Sequence, residues 1–158
     1  MKFIPAITKI PNVPPVIVDD NDYEMLIRYH WNVKYAKGYY YYTRINKRRV
    51  GMPHIILSID SNIIVDHINR VTHDNQRINI RISNHSLNSA NRRKVRGKSR
   101  FKGVCFDNNY KSYPWRATLR YHDKSIYIGS YVTEEMAALA YNLEAKIRWG
   151  EHAFINKL

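Results

Sequence analysis

Residues 65–92 read VDHINRVTHDNQRINIRISNHSLNSANR, and their pattern decides how the first half of the chain is built. A β-branched run ends at Asp66-His67, and the stretch NRVTHDNQR has the polar composition of a loop. INIRIS is a second short strand, and Ser83 is placed to cap a helix through NHSLNSANRR. The expected order is strand, loop, strand, helix, with Asp66 and His67 leaving the first strand and Asn88 on the helix. One acid, one imidazole and the two carboxamides Asn79 and Asn88 thus fall at fixed offsets. Such groups are the parts that metal-assisted cleavage of a phosphodiester needs. A hard divalent cation takes carboxylate and carbonyl oxygens, an imidazole accepts a proton from water near neutral pH, and a further amide can orient that imidazole. Neighbouring strand residues point to opposite faces, so Asp66 and His67 must sit where the strand ends or twists.

The chain has 158 residues and a formal net charge of +13, enough length for one good core or two small ones. It holds no run of about eighteen apolar residues, so no transmembrane helix is expected. The N-terminal stretch is broken by Pro5, Pro11, Pro14 and Pro15 and reads poorly as a signal peptide. A single cysteine, Cys105, excludes an intramolecular disulfide and a Cys-rich zinc module. An intracellular setting fits: the host cytoplasm or nucleoid, if the gene belongs to a phage or mobile element. Charge is unevenly placed. Residues 91–120 carry ten Lys/Arg against one Asp, whereas 121–158 carry four against five Asp/Glu. Solubility does not require that concentration; a polyanion such as nucleic acid is its natural partner.

Elsewhere, Asn21 or Asp22 can cap a short helix through YEMLIRYH. WNVKYAKGYYYYTRINKRRV reads as strands broken at Lys37-Gly38 and Asn46-Lys47. Its tyrosine run, 39–42, suits base stacking or, the favoured reading, a sheet with alternating core and surface tyrosines. MPHIILSID is one helical turn or two. RRKVRGKSR at 92–100 is a basic connector and the expected domain boundary. Three strand-like runs follow, FKGVCFD, PWRATLRYHD and SIYIGSYV, turned at Asn108-Asn109 and Asp123-Lys124. Thr133 can cap TEEMAALAYNLEAKIRWG, with Glu134 and Glu135 in the first turn and Gly150 at the end. Met136, Ala137, Ala140, Tyr141 and Ala145 form the stripe expected to cover the sheet. Cys105 reads as a small buried or half-buried residue.

DHIN (66–69), DNQRINIR (74–81) and LNSAN (87–91) together resemble the HNH endonucleases of the intron-homing and free-standing phage type. The resemblance extends upstream through YHW at 29–31 and MPHII at 52–56, covering roughly residues 16–95. It implies that His67 is the general base that activates water and that Asp66 and Asn88 bind one divalent metal. Asn79 would hold the catalytic loop or the His67 ring. The metal would be Mg2+, with Mn2+ the alternative, and cleavage would leave a 5′ phosphate and a 3′ hydroxyl. His54 falls where the family often has a His and would line the site or serve as a packed structural residue. Gln76 stands where Arg is more usual, Arg77 follows at a variable position, and Leu87 replaces a common Gln.

From Phe101 to Asn156 the marks FKGV, WRATLR, YIGSYVTEEMAALAY and AFIN resemble the APETALA2, or ethylene-response-factor, DNA-binding domain. In that family a three-stranded sheet lies in the major groove. The resemblance places Lys102, Thr118, Arg120, Ser125 and Tyr127 toward DNA. Arg116 and the connector residues Arg92, Arg93, Lys94, Arg96, Lys98 and Arg100 complete the expected DNA-binding set, with the connector along a groove or the backbone. Cys105, Thr118 and Ser125 stand where plant members commonly carry charge, so plant base preferences do not transfer.

The sequence therefore predicts an α+β chain. Residues 1–91 form an HNH nuclease domain of the ββα-metal type, 92–100 a basic linker, and 101–158 a three-stranded antiparallel sheet packed on one helix. The expected function is metal-dependent hydrolysis of double-stranded DNA, with nicking favoured by one site per chain. No membrane and no obligate protein partner is implied. The competing readings are a non-catalytic, sequence-specific DNA-binding regulator and an RNA-binding protein.

Overall fold

A computed structural model describes the chain except Ile7, residues 93–96 and Asp123. It divides into two compact units, Met1–Asn84 and His85–Leu158. Both mix helices with small antiparallel sheets, in keeping with the α+β expectation.

The first unit begins with a two-stranded pair, β1 (Lys2–Ile4) and β2 (Val16–Val18), followed by α1 (Asp20–Leu26). Helix α1 starts and stops earlier than YEMLIRYH suggests. Its N-cap is Asp19, and Trp31 Nε1 donates to the Leu26 carbonyl at 2.8 Å, so the chain has already turned to bury Trp31. The tyrosine-rich stretch is the expected meander: β3 (Asn32–Tyr35), β4 (Tyr39–Ile45) and β5 (Arg48–Gly51). Asn46 and Lys47 both take positive φ, the backbone a tight hairpin with the sheet's own twist requires. Tyr41 and Thr43 face inward while Tyr40 and Arg44 face out, the alternation of a half-buried strand. Helix α2 (Met52–Leu57) then delivers Met52 and Ile56 to a core shared with Val16, Val18, Leu26 and Ile80. A last hairpin, β6 (Ile64–His67) with β7 (Ile80–Ser83), closes the unit.

The second unit starts with α3 (His85–Asn91). Leu87 and Ala90 pack against Leu119, Tyr141, Ala145 and Trp149, so this helix shares its core with the C-terminal module. Strands β8 (Val104–Phe106), β9 (Trp115–Tyr121) and β10 (Lys124–Tyr131) form a sheet with β9 in the centre. The β8–β9 connection is longer than a two-residue turn and is held by Asp107, which accepts from Asn109 N at 3.1 Å and Arg116 Nη1 at 3.1 Å. Helix α4 (Glu134–Trp149) covers one sheet face; Thr133 Oγ1 accepts from Met136 N, and Gly150 ends the helix at positive φ. Ala137, Ala138, Tyr141, Ala145 and Trp149 make the buried face. Met136 does not join it: it is 51% exposed, because it stands half a turn around the helix from Ala145 and so faces away from the sheet. Gly103, at φ +75°, lies so near the Tyr141 ring that a Cβ would stand 2.0 Å from it. Asn156 closes the unit: its amide accepts from Lys102 N at 2.7 Å and donates to Lys102 O, while its backbone exchanges two hydrogen bonds with the Asn142 side chain.

Candidate active site

The β6–β7 register sets Asp66 directly opposite Arg81 and His67 opposite Ile80. Both Asp66 and His67 are buried although adjacent, which the strand permits because His67 is its last residue and the chain turns at once. Arg70, at positive φ, completes that turn by donating its N–H to the His67 carbonyl at 2.9 Å.

From there to Asn79 the chain is a loop held by side-chain amides. Asn79 Oδ1 accepts from Asn69 N at 2.9 Å and Asn79 Nδ2 donates to the Asp74 carbonyl at 2.7 Å. Asn69 Nδ2 in turn donates to Asp74 Oδ2 at 2.8 Å. These bonds brace the loop. The His67 ring has another partner. Its Nε2 lies 3.0 Å from Oδ1 of Asn75, a residue only 1% exposed. With the amide oxygen facing the ring, Nε2 carries the hydrogen and Nδ1 keeps its lone pair. Burial pushes the His67 pKa down, against the opposing pull of the Asn75 hydrogen bond and the Asp66 and Asp74 charges. The imidazole is therefore neutral around neutral pH and able to accept a proton.

The loop is bolted down at two further places. Backbone bonds of 2.8 Å run from Ile17 N to His73 O and from Asn75 N to Ile17 O, fastening it to β2. Arg77 N donates to Asp19 at 2.8 Å, and its guanidinium grips Asp22 with two bonds of 2.7 and 2.8 Å. Arg77 thus holds the loop to the start of α1, a structural contact at the position beside Gln76. Gln76 also reaches Asp19, at 3.3 Å.

Asp66 Oδ2 accepts from Arg81 Nη2 at 2.9 Å and Nε at 3.2 Å. A hard cation binding this carboxylate shares it with, or displaces, that guanidinium. The first unit offers Asp66 as its oxygen donor at the end of β6, which fits an ion that keeps several waters and takes few protein ligands, as Mg2+ does. Asn88, the other expected ligand, lies on α3 in the second unit. Among the described residues no three His, Cys, Asp or Glu side chains gather into a metal cluster.

His54 Nε2 donates to the Ile63 carbonyl at 2.9 Å, tying α2 to the residue before β6. In the second unit, Cys105, Arg116, Thr118, Arg120, Ser125 and Tyr127 share the sheet face turned away from α4, in the register Cys105↔Arg116, Thr118↔Tyr127 and Arg120↔Ser125. Cys105 is exposed, not buried as expected, because strand alternation gives the inward position to Val104. Lys102 stands apart from that face: its Nζ donates to the carbonyls of Ser89 and Ala90 at the end of α3. Arg100 pairs with Glu135 at 2.8 Å, and Arg92 and Lys98 are exposed. Arg93, Lys94 and Arg96 lie outside the described residues. Beside α3 runs a cleft of about 580 Å³ whose lining includes Lys102, Arg120, His85 and His122.

Asn75 and Arg81 are the two site residues that the motif reading passed over. The pair Asp74-Asn75 was the available signal for the first; nothing short of the β6–β7 register identifies the second.

An uncharacterized HNH endonuclease of Acanthamoeba polyphaga mimivirus is 34% identical to this chain over 100 residues, which cover 63% of this chain and 50% of that protein. The chain thus spans about half the length of the curated relative it matches. No family model matches the chain, and no solved structure matches it. The likeness supports a nuclease of the HNH type. Among the described residues no helix is long and apolar enough to cross a membrane.

Proposed function

We propose that the chain is a metal-dependent DNA endonuclease of the HNH homing type, cutting one strand of duplex DNA to leave a 5′ phosphate and a 3′ hydroxyl. The observation that carries this reading is the buried His67, neutral and held through Nε2 by Asn75, beside the Asp66 carboxylate. His67 Nδ1 accepts the proton of a water molecule as its oxygen attacks phosphorus, and the 3′ oxygen leaves. Asp66 and Asn88 would hold one divalent ion, Mg2+ or Mn2+, which when bound supplies stabilisation of charge on the leaving oxygen. Asn79 and Asn75 fix the loop and the ring. The outer sheet face of the second unit, with Arg116, Thr118, Arg120, Ser125 and Tyr127, would read duplex DNA as an APETALA2-type sheet does. The basic residues 92–100 would follow the phosphate backbone.

A plasmid-nicking assay with magnesium tests this, comparing the wild type with His67→Ala. Nicking by the wild type and its loss in the variant are expected. If both bind DNA and neither cuts any substrate offered, including DNA flanking the gene, the chain is a binding protein. The Asp66–Arg81 ion pair is the observation that favours this second reading, a non-catalytic DNA-binding regulator, because it already balances the carboxylate.

A further inference from the structure

Helix α4 has two apolar faces, and the sheet uses one. On the other, Met136, Leu139, Ala140, Leu143 and Ile147 recur at spacings of three and four, a continuous stripe along the helix. Four of them are large and open to solvent: Met136 at 51%, Leu139 at 48%, Leu143 at 59% and Ile147 at 78%. Scattered exposed apolar residues are ordinary; an aligned row on one helix marks an interface.

We propose that this face joins two copies of the chain through antiparallel pairing of their α4 helices. The argument for a second copy is that the stripe is complementary to itself. A two-fold axis near the middle of α4 sets Met136 opposite the second copy's Ile147, and Ala140 opposite its Leu143. The small Ala140 leaves room for the larger Leu143 that meets it. Charge follows the same symmetry. Glu135 and Lys146 lie on the same flank of the stripe at opposite ends, so antiparallel pairing brings each Glu135 to the other copy's Lys146. Lys146 is exposed and has no ion-pair partner among the described residues. Glu135 meets Arg100 in a pair that is itself mostly exposed. The antiparallel arrangement also places the positive start of one helix beside the negative end of the other. One helix pair covers less than the roughly 1,200–2,000 Å² of a standard stable interface, so the dimer is a weak one that dissociates on dilution.

Sedimentation velocity on the full chain, over roughly 1–100 µM, tests the proposal. The wild type is expected to shift from monomer to dimer across that range, and Leu143→Glu to stay monomeric with an unchanged circular-dichroism melt. Glu135→Lys alone and Lys146→Glu alone should each weaken the dimer about fivefold, since both symmetry-related pairs are lost. Combining the two changes should restore it. A wild type that remains monomeric throughout overturns the proposal. So does a dimer untouched by Leu143→Glu, or one that the double charge exchange fails to rescue.

Discussion

Asn75 Oδ1 lies 3.0 Å from His67 Nε2, and both side chains are buried. The amide sets which ring nitrogen carries the proton. Asn75→Ala should therefore lower kcat about 10–100-fold, the usual effect of losing an orienting partner. KM for DNA should change little, whereas the melt should fall, because a buried His67 donor loses its acceptor. Steady-state nicking kinetics would show it, and a change confined to KM would place Asn75 outside the chemistry.

Arg77 and Asp22 join the loop to α1 through two short hydrogen bonds, with Asp22 buried and Arg77 half out in solvent. A double-mutant cycle with Asp22→Asn and Arg77→Gln should give a coupling of about 1–2 kcal/mol, more than an exposed pair and reduced for the solvent around Arg77. Urea unfolding at low and high salt measures it. The coupling should survive added salt better than that of Arg100 and Glu135, which are both exposed.

Tyr41 is 2% exposed, and its hydroxyl donates to the Pro14 carbonyl. Burial pushes its pKa up to about 12 from the ordinary 10.0. A folded-state pKa above the unfolded value means stability is fully present below pH 10 and is lost as pH rises toward 12. Thermal melts across that window should fall for the wild type and fall less for Tyr41→Phe. The variant should cost about 1 kcal/mol at neutral pH for the hydrogen bond removed.

Arg120 is exposed on the sheet face away from α4, opposite Ser125. If that face lies on DNA, Arg120→Ala should weaken binding. A phosphate contact would lower the salt slope by about one, whereas a guanine contact would cost about 1–3 kcal/mol at one base position. Filter binding at several salt concentrations and on single-base variants separates the two. No change in either would remove Arg120 from the interface.

Much of the architecture was legible because local rules agreed with each other. The meander at 32–51 combines β-branched and aromatic residues with turn residues at both breaks, and α4 has a cap, an acidic first turn and a terminal glycine. What escaped were choices made between segments distant in sequence. Arg81 meets Asp66 only through strand register, and a one-residue slip would turn it away. Cys105 was misplaced because a three-residue strand is too short to reveal its phase. Met136 lies half a turn around α4 from Ala145, so a stripe drawn through both spans two faces, of which only one meets the sheet. For the candidate site, residue types at fixed offsets picked out Asp66, His67 and Asn79. The division of labour between Asn75 and Asn79 depended on how the loop folds.

The packing of α3 also bears on how such chains can be recombined. A graft joined within residues 92–100 would leave Leu87 and Ala90 behind, stripped of Tyr141 and Trp149. It would also sever the bonds from Lys102 to Ser89 and Ala90, and from Phe154 N to Ala90. A transplant that carries its own packing intact begins before His85. The recipient then inherits Asn88 together with the sheet, so exchanging one reading module for another replaces part of the proposed cutting machinery as well.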